Sequence, residues 1–244
     1  MRNQHTIAAI IPALNEERSI GQVLEAIPEW VDLVVVADNG STDNTAEVAR
    51  QGGARVVEET RRGYGSACLA GIATLPEPDS PNAPDAVVFL DADFSDNPAE
   101  ISKLVDPILS GQWDLVIGSR TAGNCERGAL TITQRFGNWL SCRLMRGFFG
   151  GDFSDLGPFR AISWPDFHRL QMDDKDYGWT VQMQIRALRK GLRTTEVPVE
   201  YRRRAAGKSK VSGTIRGIFG AGTTILQVVF REAWDSWQIS TPPQ

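Results

Sequence analysis

The sequence predicts an α/β fold with a mostly parallel central sheet and flanking helices. Short apolar runs rich in β-branched residues recur along the first half of the chain, and segments with helical periodicity separate them at about the spacing of βα units. Because 41% of the 244 residues are hydrophobic, the chain can bury a sizeable core, and we expect a single domain. The apolar runs are residues 6–11, 33–37, 54–57, 86–90 and 115–118.

Capping residues indicate where the helices between these strands begin. Ser19 precedes the first helical segment, and Thr42 or Asp43 precedes the second. Asn97 stands before a proline, which is favoured in the first turn of a helix. The loops that join each strand to its helix therefore lie at the carboxyl ends of the strands, where open α/β sheets bind their ligands.

The regular alternation ends after residue 118, where a loop over residues 121–128 follows the fifth strand. An apolar stripe along residues 215–230 predicts an amphipathic C-terminal helix. Between these two segments the sequence predicts a helix from about 132 to 149, a strand over 159–162, a helix near 179–190 and a strand over 194–201.

The distribution of charge indicates what the protein binds. Residues 202–231 carry a charge of +7 without an acidic residue, whereas the whole chain has a net charge of −4. The acidic remainder argues against nucleic-acid binding, and the basic segment predicts a local anionic partner. Its apolar stripe favours a peripheral contact with an anionic membrane surface, and packing of that stripe on the sheet is the alternative.

Cysteine usage and hydropathy bear on the compartment. The three cysteines lack C-x-x-C spacing, so we expect reduced thiols and neither a zinc site nor a disulfide framework. The uncharged run over residues 217–230, which no other run exceeds in length, is too short to span a bilayer. We therefore expect a cytoplasmic protein, at most peripheral at the cytoplasmic face of the membrane.

Two aspartates separated by one residue, Asp91 and Asp93, end the fourth apolar run. At the carboxyl end of a strand such a pair faces the ligand crevice and can hold a hard divalent cation. Mg²⁺ and Mn²⁺ both prefer oxygen ligands, so the pair fits either ion. A solvated acidic turn is the alternative interpretation of the isolated pair.

Three other loops bring polar residues to the same edge of the sheet. Because proline cannot continue a central ladder, Pro12 is expected to end the first strand and turn the chain into the crevice with Asn15 and Glu16. Asp38, at the tip of the second strand, is placed to accept hydrogen bonds from a ligand's amide or hydroxyl groups. Glycines in the third loop, residues 61–66, allow backbone amides to approach a nucleotide.

Together these loops resemble the nucleotide-sugar half of the family 2 glycosyltransferases with the GT-A fold. The strings 11–16, 38–43, 63–65 and 91–93 occur in that family's order and approximate spacing. The resemblance implies that a UDP- or GDP-hexose binds to residues 1–120 and that Asp91 and Asp93 hold the metal against its diphosphate. The other donor-site residues that the resemblance implies are Pro12, Ala13, Asn15, Glu16, Asp38, Gly63, Gly65 and Ala92.

The second half resembles the dolichyl-phosphate sugar transferases and their bacterial polyprenyl-phosphate relatives. The matching strings are 118–120, 134–138, 155–160, 196–199 and 204–210, and the resemblance covers about residues 6–230. It implies that Arg120 and Arg135 bind the phosphate of a polyprenyl phosphate, while Arg204 and Lys210 bind the donor diphosphate. Residues 1–212 then form the GT-A domain, with 121–212 as its acceptor half, and 213–244 form the C-terminal amphipathic helix and tail.

The acceptor decides whether a catalytic base is needed. A phosphate monoester is already anionic, so it can attack the anomeric carbon without deprotonation, whereas a hydroxyl needs a base. Hydroxyl-acceptor relatives commonly carry an acidic base in the region of residues 177–184, where this chain has Gln182. This favours a phosphate acceptor and, as the resemblance implies, inversion at the anomeric carbon. Asp155 and Asp176 remain candidate bases.

Other functions are compatible with the same motifs. The enzyme could transfer a sugar to a small soluble acceptor, either phosphorylated or carrying a hydroxyl group. A sugar-nucleotide-binding protein without turnover is a further alternative, although such a protein has less need of cationic residues for two phosphate groups. A nucleotidyltransferase is disfavoured because Asn15 and Glu16 stand where a glycine-rich loop with a lysine is expected.

Overall fold

The computed structural model describes residue 2, residues 4–206 and the helix 215–240, in which the side chains of residues 222–235 are described. The strands are β1 (Ile7–Ala13), β2 (Leu33–Asp38), β3 (Arg55–Glu58), β4 (Ala86–Phe89), β5 (Leu115–Ser119), β6 (Arg160–Ser163) and β7 (Thr194–Pro198). The helices are α1 (Ile20–Ala26), α2 (Thr45–Gln51), α3 (Tyr64–Ile72), α4 (Ile101–Leu109), α5 (Ile132–Phe149), α6 (Trp164–Leu170), α7 (Trp179–Arg189) and α8 (Ile215–Ser240).

The described strands form one sheet in the order β3-β2-β1-β4-β6-β5-β7. Strand β6 runs antiparallel to both of its neighbours, and the other pairs are parallel. This confirms the predicted mostly parallel sheet with flanking helices. The carboxyl ends of β1, β2 and β4 meet at one edge, which brings the predicted loops together.

The core lies on both faces of the sheet because alternate residues of a strand point to opposite sides. In β1, Ala8 and Ile10 belong to one buried cluster, whereas Ile7, Ala9 and Ile11 belong to the other. The near-continuous apolar runs of the sequence therefore reflect strands that are covered on both faces.

The prediction that Pro12 ends the first strand is wrong, because β1 continues to Ala13, which pairs with Asp38. The carbonyl oxygen of Ile10 accepts a hydrogen bond from the Leu90 N–H on the β4 side. Residues two apart in a strand direct their backbone groups to the same side, so the nitrogen of Pro12 faces the same side as the backbone of Ile10. Strand β4 has already ended on that side. No ladder bond is lost, and the proline is tolerated there.

The helix starts differ from the predictions in detail. Helix α2 begins at Thr45 after Asn44, and Asp43, one of the two predicted start residues, accepts from the Thr45 N–H at 3.0 Å. Asn97 caps the turn before α4 as predicted and accepts from the Ala99 N–H at 3.3 Å. Helix α6 was not predicted, although Ser163, which caps it, is followed by a proline in the first turn.

Helix α8 packs against α5 and α7. Val228 and Val229 are buried, whereas Phe230 is 54% exposed, so the predicted apolar stripe is only partly packed. The side chains of the stripe's first residues, 215–219, lie outside the described residues. Over the described part of the chain, no helix is both long and apolar enough to cross a membrane.

A buried carboxylate ties α8 to α7. Glu232 is 1% exposed, and its Oε1 accepts from Arg186 Nε at 2.7 Å. Its second oxygen accepts from Arg189. The two arginines are mostly covered as well, so the three side chains form one charged group between the helices.

We expect Glu232→Leu to lower the free energy of unfolding by about 2 kcal/mol, because two largely covered guanidinium groups lose the carboxylate that they share, although Arg186 keeps its ion pair with Asp173. Urea-induced unfolding measures the change. Asp235→Asn, at an exposed position of the same helix, is the matched control and should leave the midpoint unchanged. Equal midpoints for the two variants would contradict a stabilising role for this charged group.

Candidate active site

A cleft of about 380 Å³ opens at the carboxyl ends of β1, β2 and β4. We call it the acidic cleft because Glu16, Asp91 and Asp93 line it. Its other walls include Arg62, Arg120 and Arg204, so opposite charges face each other across it. The predicted site residues that line it are Pro12, Ala13, Glu16, Gly63, Asp91, Ala92, Asp93, Arg120 and Arg204.

The turn after β4 fixes the aspartate pair. Oδ1 of Asp93 accepts from the Ser95 N–H at 2.9 Å and from the Ser95 hydroxyl at 2.5 Å. Phe94, between them, has a φ of 62°, a left-handed conformation that costs energy for a bulky residue. The serine bonds hold this strained turn in place, and Asp93 is only 4% exposed.

A single arginine, Arg204, pairs with two carboxylates of the acidic cleft. Nη1 of Arg204 lies 2.5 Å from Oδ2 of Asp93, and Nη2 bonds to Oε1 of Glu16. Glu16 is 8% exposed and also accepts from the Ser19 hydroxyl at 2.9 Å. Arg204 thus joins the first strand–helix loop to the aspartate turn. Lys210, predicted to act with it, lies outside the described residues.

Several carboxyl groups of the acidic cleft and its turn are buried close to one another. Burial raises the pKa of Asp91, and the charge of Asp93 raises it further, whereas Arg204 lowers it. Burial, Asp91 and Asp93 likewise raise the pKa of Asp96 well above its usual range. Oδ2 of Asp96 accepts from the Asp91 N–H at 3.4 Å, and its Oδ1 is buried without a partner. Such a cluster favours an additional cation in the cleft.

The carboxylate oxygens of the acidic cleft fit a divalent metal ion whose remaining ligands come from substrate and water. Asp91 and Asp93 offer carboxylate oxygens, the ligand type that Mg²⁺ and Mn²⁺ prefer. Among the described residues, no group of three or more His, Cys, Asp or Glu side chains is arranged to hold a metal by itself. A hard ion here would need oxygens from a bound ligand, as Mg²⁺ usually does beside substrate phosphates.

Asn15 does not line the acidic cleft but holds its loops together. Its φ of 53° is left-handed, a conformation that asparagine tolerates. Its Oδ1 accepts from the Thr42 N–H at 2.7 Å, and its own N–H donates to the Ser41 hydroxyl at 2.9 Å. The first and second loops are therefore fixed relative to each other.

Asp38 is 6% exposed and does not belong to the cleft lining, although its neighbour Asn39 does. Oδ2 of Asp38 accepts from the Ser41 N–H at 3.2 Å, while its Oδ1 is buried without a partner. A buried acceptor without a donor is costly, so this oxygen has capacity for a ligand.

Asn39 is a structural element of the site that the sequence reasoning missed. Its Nδ2 donates to the carbonyls of Glu59 at 3.2 Å and Arg61 at 2.7 Å, and its Oδ1 accepts from the Gly63 N–H at 2.8 Å. Only an amide side chain both donates and accepts in this way. Its place directly after Asp38, within the string 38–43, was the available signal.

The glycines of the third loop are required by the protein's own packing. A Cβ at Gly65 would lie 2.1 Å from the Asp174 carbonyl oxygen, and a Cβ at Gly63 would lie 2.1 Å from that of Lys175. The Gly65 N–H already donates to the Asp176 carbonyl at 3.2 Å. The expectation that the Gly65 amide faces a nucleotide is therefore wrong, and Gly65 does not line the cleft.

A second cleft of about 600 Å³ adjoins the first. We call it the arginine cleft because Arg120, Arg135, Arg143 and Arg146 line it. The last three project from α5, and Arg120 also lines the acidic cleft, as does Gln134. Apolar contacts come from Leu130, Trp139, Cys142 and Phe153.

Asp155 positions Arg120 where the clefts meet. Its Oδ2 accepts from the backbone N–H of Arg120 at 2.7 Å and from Nε at 2.9 Å, and its Oδ1 accepts from Nη2 at 2.6 Å. The Asp155 side chain is fully buried. Its burial and the bonds of both oxygens to Arg120 argue against Asp155 as one of the two candidate bases. The Cζ atom of the Arg120 guanidinium lies over the Tyr201 ring, 5.1 Å from its centroid.

Polar side chains hold the loop that carries Asp155. Glu196 accepts from the Asp155 N–H at 2.9 Å, and Gln184 donates to the Asp155 carbonyl at 2.9 Å. Arg160 is fully buried and donates to the carbonyls of Leu156 at 3.0 Å and Thr180 at 2.8 Å. Burial lowers the pKa of Arg160 to about 10. These contacts fix the loop that carries Asp155, and Asp155 in turn fixes the position of Arg120.

Apart from Asp91, each carboxylate of the described cleft linings is paired with an arginine. Asp176 pairs with Arg61 at 3.6 Å and lines neither cleft. Gln182 is fully buried and accepts from the N–H groups of Asp173 and Asp174. The carboxylates of the described linings are Glu16 and Asp93, both paired with Arg204, Asp152, paired with Arg146, and Asp91 of the acidic turn.

Known proteins resemble the chain in sequence and in structure. A family model described as glycosyl transferase family 2 matches residues 8–165. An uncharacterized glycosyltransferase of Mycobacterium tuberculosis is 37% identical over 213 residues, covering 86% of this chain and 92% of that protein. A dolichyl-phosphate hexose transferase of Haloferax volcanii is 33% identical over 233 residues, covering 93% and 95%.

The fold also occurs in solved structures. The glucosyl-3-phosphoglycerate synthase of Mycobacterium tuberculosis, in complex with Mn²⁺, UDP and phosphoglyceric acid, superposes with a TM-score of 0.74 at 23% identity. The match covers 99% of this chain and 81% of that one. At this identity the likeness establishes the fold alone.

Proposed function

The chain belongs to glycosyl transferase family 2, and on that premise we propose that it moves a hexose from a nucleoside-diphosphate sugar to a polyprenyl phosphate. It is a glycosyltransferase, and its fold is the GT-A fold that the sequence resemblance implied. The observation that carries the proposal is the meeting of the acidic cleft and the arginine cleft at Arg120. One cleft suits a metal-bound diphosphate, and the other suits an anionic acceptor.

The acidic cleft is the donor site in this proposal. Asp91 and Asp93 hold Mg²⁺ or Mn²⁺, which when bound supplies positive charge that stabilises the leaving diphosphate. Arg204 lies beside them and adds its charge to the same group. The unpartnered oxygen of Asp38 accepts a hydrogen bond from the nucleoside. The neighbour complex named with Mn²⁺ and UDP supports this ion and a uridine donor.

The arginine cleft is the acceptor site. Arg120, held by Asp155, orients the acceptor phosphate toward the anomeric carbon, and Arg135 adds a second cation. The phosphate oxygen attacks without losing a proton, so the proposal needs no base. Every carboxylate of the described linings other than Asp91, the proposed metal ligand, is paired with an arginine, which supports this, as does the dolichyl-phosphate relative. Displacement from the opposite side of the leaving group inverts the anomeric carbon.

A small soluble phosphorylated acceptor is the second candidate. Of the four arginines that line the acceptor cleft, Arg120 and Arg146 pair with Asp155 and Asp152, while Arg135 and Arg143 add positive charge that suits a second anionic group on a small acceptor. The neighbour named with phosphoglyceric acid has an acceptor of that kind. The two candidates share the donor site and the role of Arg120 and differ in what fills the rest of the arginine cleft.

An acceptor panel separates these candidates. The chain is incubated with UDP- and GDP-hexoses, Mn²⁺ or Mg²⁺, and either undecaprenyl phosphate or 3-phosphoglycerate, and products are identified by mass spectrometry. We expect a metal-dependent hexosyl-phosphoundecaprenol. Transfer to phosphoglycerate alone would support the second candidate, and the absence of turnover with every donor and metal would contradict both.

A peripheral membrane contact also belongs to this proposal. Helix α5 exposes Phe136, Trp139 and Phe148, and Phe230 of α8 packs on Phe148 with ring centroids 6.0 Å apart. We call Phe136 and Trp139, whose ring centroids lie 5.9 Å apart, the aromatic face. Helix α5 has no acidic residue, and its arginines line the acceptor cleft. An apolar surface beside cations suits an anionic bilayer, which is where a polyprenyl phosphate resides.

The paired substitution Phe136→Ser and Trp139→Ser is expected to weaken binding to phosphatidylglycerol vesicles by at least about tenfold, because two large apolar side chains no longer enter the bilayer. Co-sedimentation measures the bound fraction. Glu29→Ser, exposed between α1 and β2, is the control and should bind like the unaltered chain. If the paired variant bound equally well, the aromatic face would not be the contact surface.

A further inference from the structure

One oxygen of Asp93 decides how the donor site is occupied. Oδ1 is engaged twice by Ser95, through the N–H at 2.9 Å and the hydroxyl at 2.5 Å. Oδ2 remains for a metal ion, and in this structure it lies 2.5 Å from Nη1 of Arg204. A cation that binds Asp93 through Oδ2 therefore meets the guanidinium at the same atom.

Arg204 is held at this place by its backbone as well as by its charge. The N–H of Ala205 donates to the Asp93 carbonyl at 3.1 Å, and that of Arg202 donates to the Ser95 carbonyl at 2.8 Å. The second guanidinium nitrogen bonds to the buried Glu16. Removing the arginine from Asp93 would also disturb this second pair, and a buried carboxylate without its partner is costly.

We propose that Arg204 is a counter-ion that competes with the metal for Asp93 and that a nucleoside diphosphate relieves the competition. The inference rests on the proposed metal position at Asp91 and Asp93. Without nucleotide, the ion and the guanidinium repel each other at one oxygen in a desolvated cleft. With nucleotide, phosphate oxygens bind both the ion and Arg204, so the arginine can leave Asp93 without losing an anionic partner.

The consequence is coupled binding. Metal alone binds weakly, nucleoside diphosphate strengthens metal binding, and by thermodynamic linkage the metal strengthens nucleotide binding by the same factor. This fits the finding that the described residues contain no protein-only metal cluster. The site then loads the metal and the donor together.

Mn²⁺ binding tests the coupling without any measurement of catalysis. Electron paramagnetic resonance of free Mn²⁺ gives the dissociation constant with and without UDP. For the unaltered chain we expect UDP to tighten Mn²⁺ binding by at least about tenfold. In the absence of UDP, we expect Mn²⁺ to bind to Arg204→Met about tenfold more tightly than to the unaltered chain. UDP should then tighten Mn²⁺ binding by a smaller factor than in the unaltered chain.

Arg203→Met is the matched control, because Arg203 precedes Arg204 but bonds to the Arg127 carbonyl and pairs with Glu126 instead. It should leave both dissociation constants unchanged. Arg204→Gln, which keeps polarity but removes the charge, should behave like Arg204→Met, and unfolding midpoints identify any variant that is not folded. Unchanged or weaker Mn²⁺ binding in folded Arg204→Met and Arg204→Gln would overturn the inference.

Failure of the proposed function gives a different result. If Asp93→Asn bound Mn²⁺ and UDP as tightly as the unaltered chain, the metal would lie elsewhere. If the Asp93 variant lost Mn²⁺ binding while the Arg204 variants did not gain it, the metal position would stand and only the competition would be refuted.

Discussion

Replacing Asp93 with asparagine is expected to lower the rate of sugar transfer by at least about 10³-fold, the effect of losing several kcal/mol of charge stabilisation at the leaving group. The asparagine oxygen can still accept from Ser95, so the turn after β4 should keep its conformation. What is lost is the negative charge at Oδ2, which faces the proposed metal. Steady-state transfer with saturating donor and Mn²⁺ measures the loss.

Asp96→Asn is the matched control. Asp96 is buried beside the same turn, and the asparagine oxygen can still accept from the Asp91 N–H, as Oδ2 of Asp96 does at 3.4 Å. We expect this variant to retain most of the transfer activity. Equal losses in the two variants would mean that the turn, and not the charge of Asp93, is what the reaction needs.

Replacing Arg120 with methionine is expected to lower kcat/KM for the phosphate acceptor by about 10²-fold or more, because a charge-assisted contact to the phosphate is lost where the two clefts meet. Slow hydrolysis of the donor in the absence of acceptor should change much less. Both rates come from the same preparation, with polyprenyl phosphate present or absent. The ratio of the two rates is the diagnostic quantity.

Arg143→Met serves as the control for Arg120, since Arg143 lines the arginine cleft but not the acidic cleft. We expect a smaller loss of acceptor use, because Arg143 lies outside the acidic cleft, where the reacting phosphate meets the donor. Parallel losses of transfer and donor hydrolysis in Arg120→Met would remove its assignment to the acceptor.

The fold was predictable because its determinants are local. Apolar runs gave the strands, and the capping pattern Thr131 to Gln134 coincides with the start of α5, whose bounds match the prediction. The continuation of β1 through Pro12 was not predictable, since it depends on where β4 ends. The end of β4 is a feature of the tertiary structure, and the proline in the sequence does not reveal it.

The sequence predicted most of the polar residues that line the acidic cleft, but not how they pair with one another. The acidic turn follows from two aspartates after a strand, whereas the pairing of Arg204 with Glu16 joins residues far apart in the chain. Asp155 was a candidate base by residue type, but its burial and its bonds to Arg120 make it a positioning residue. Gly65 is a glycine because segment 174–176 packs against it.

The most direct test is a crystal structure with Mn²⁺, UDP and a short isoprenoid phosphate such as citronellyl phosphate. We predict an anomalous manganese peak within about 2.5 Å of carboxylate oxygens of Asp91 and Asp93, with the isoprenoid phosphate bonded to Arg120. A manganese peak away from the aspartate pair, or a phosphate group that avoids Arg120, would contradict the account.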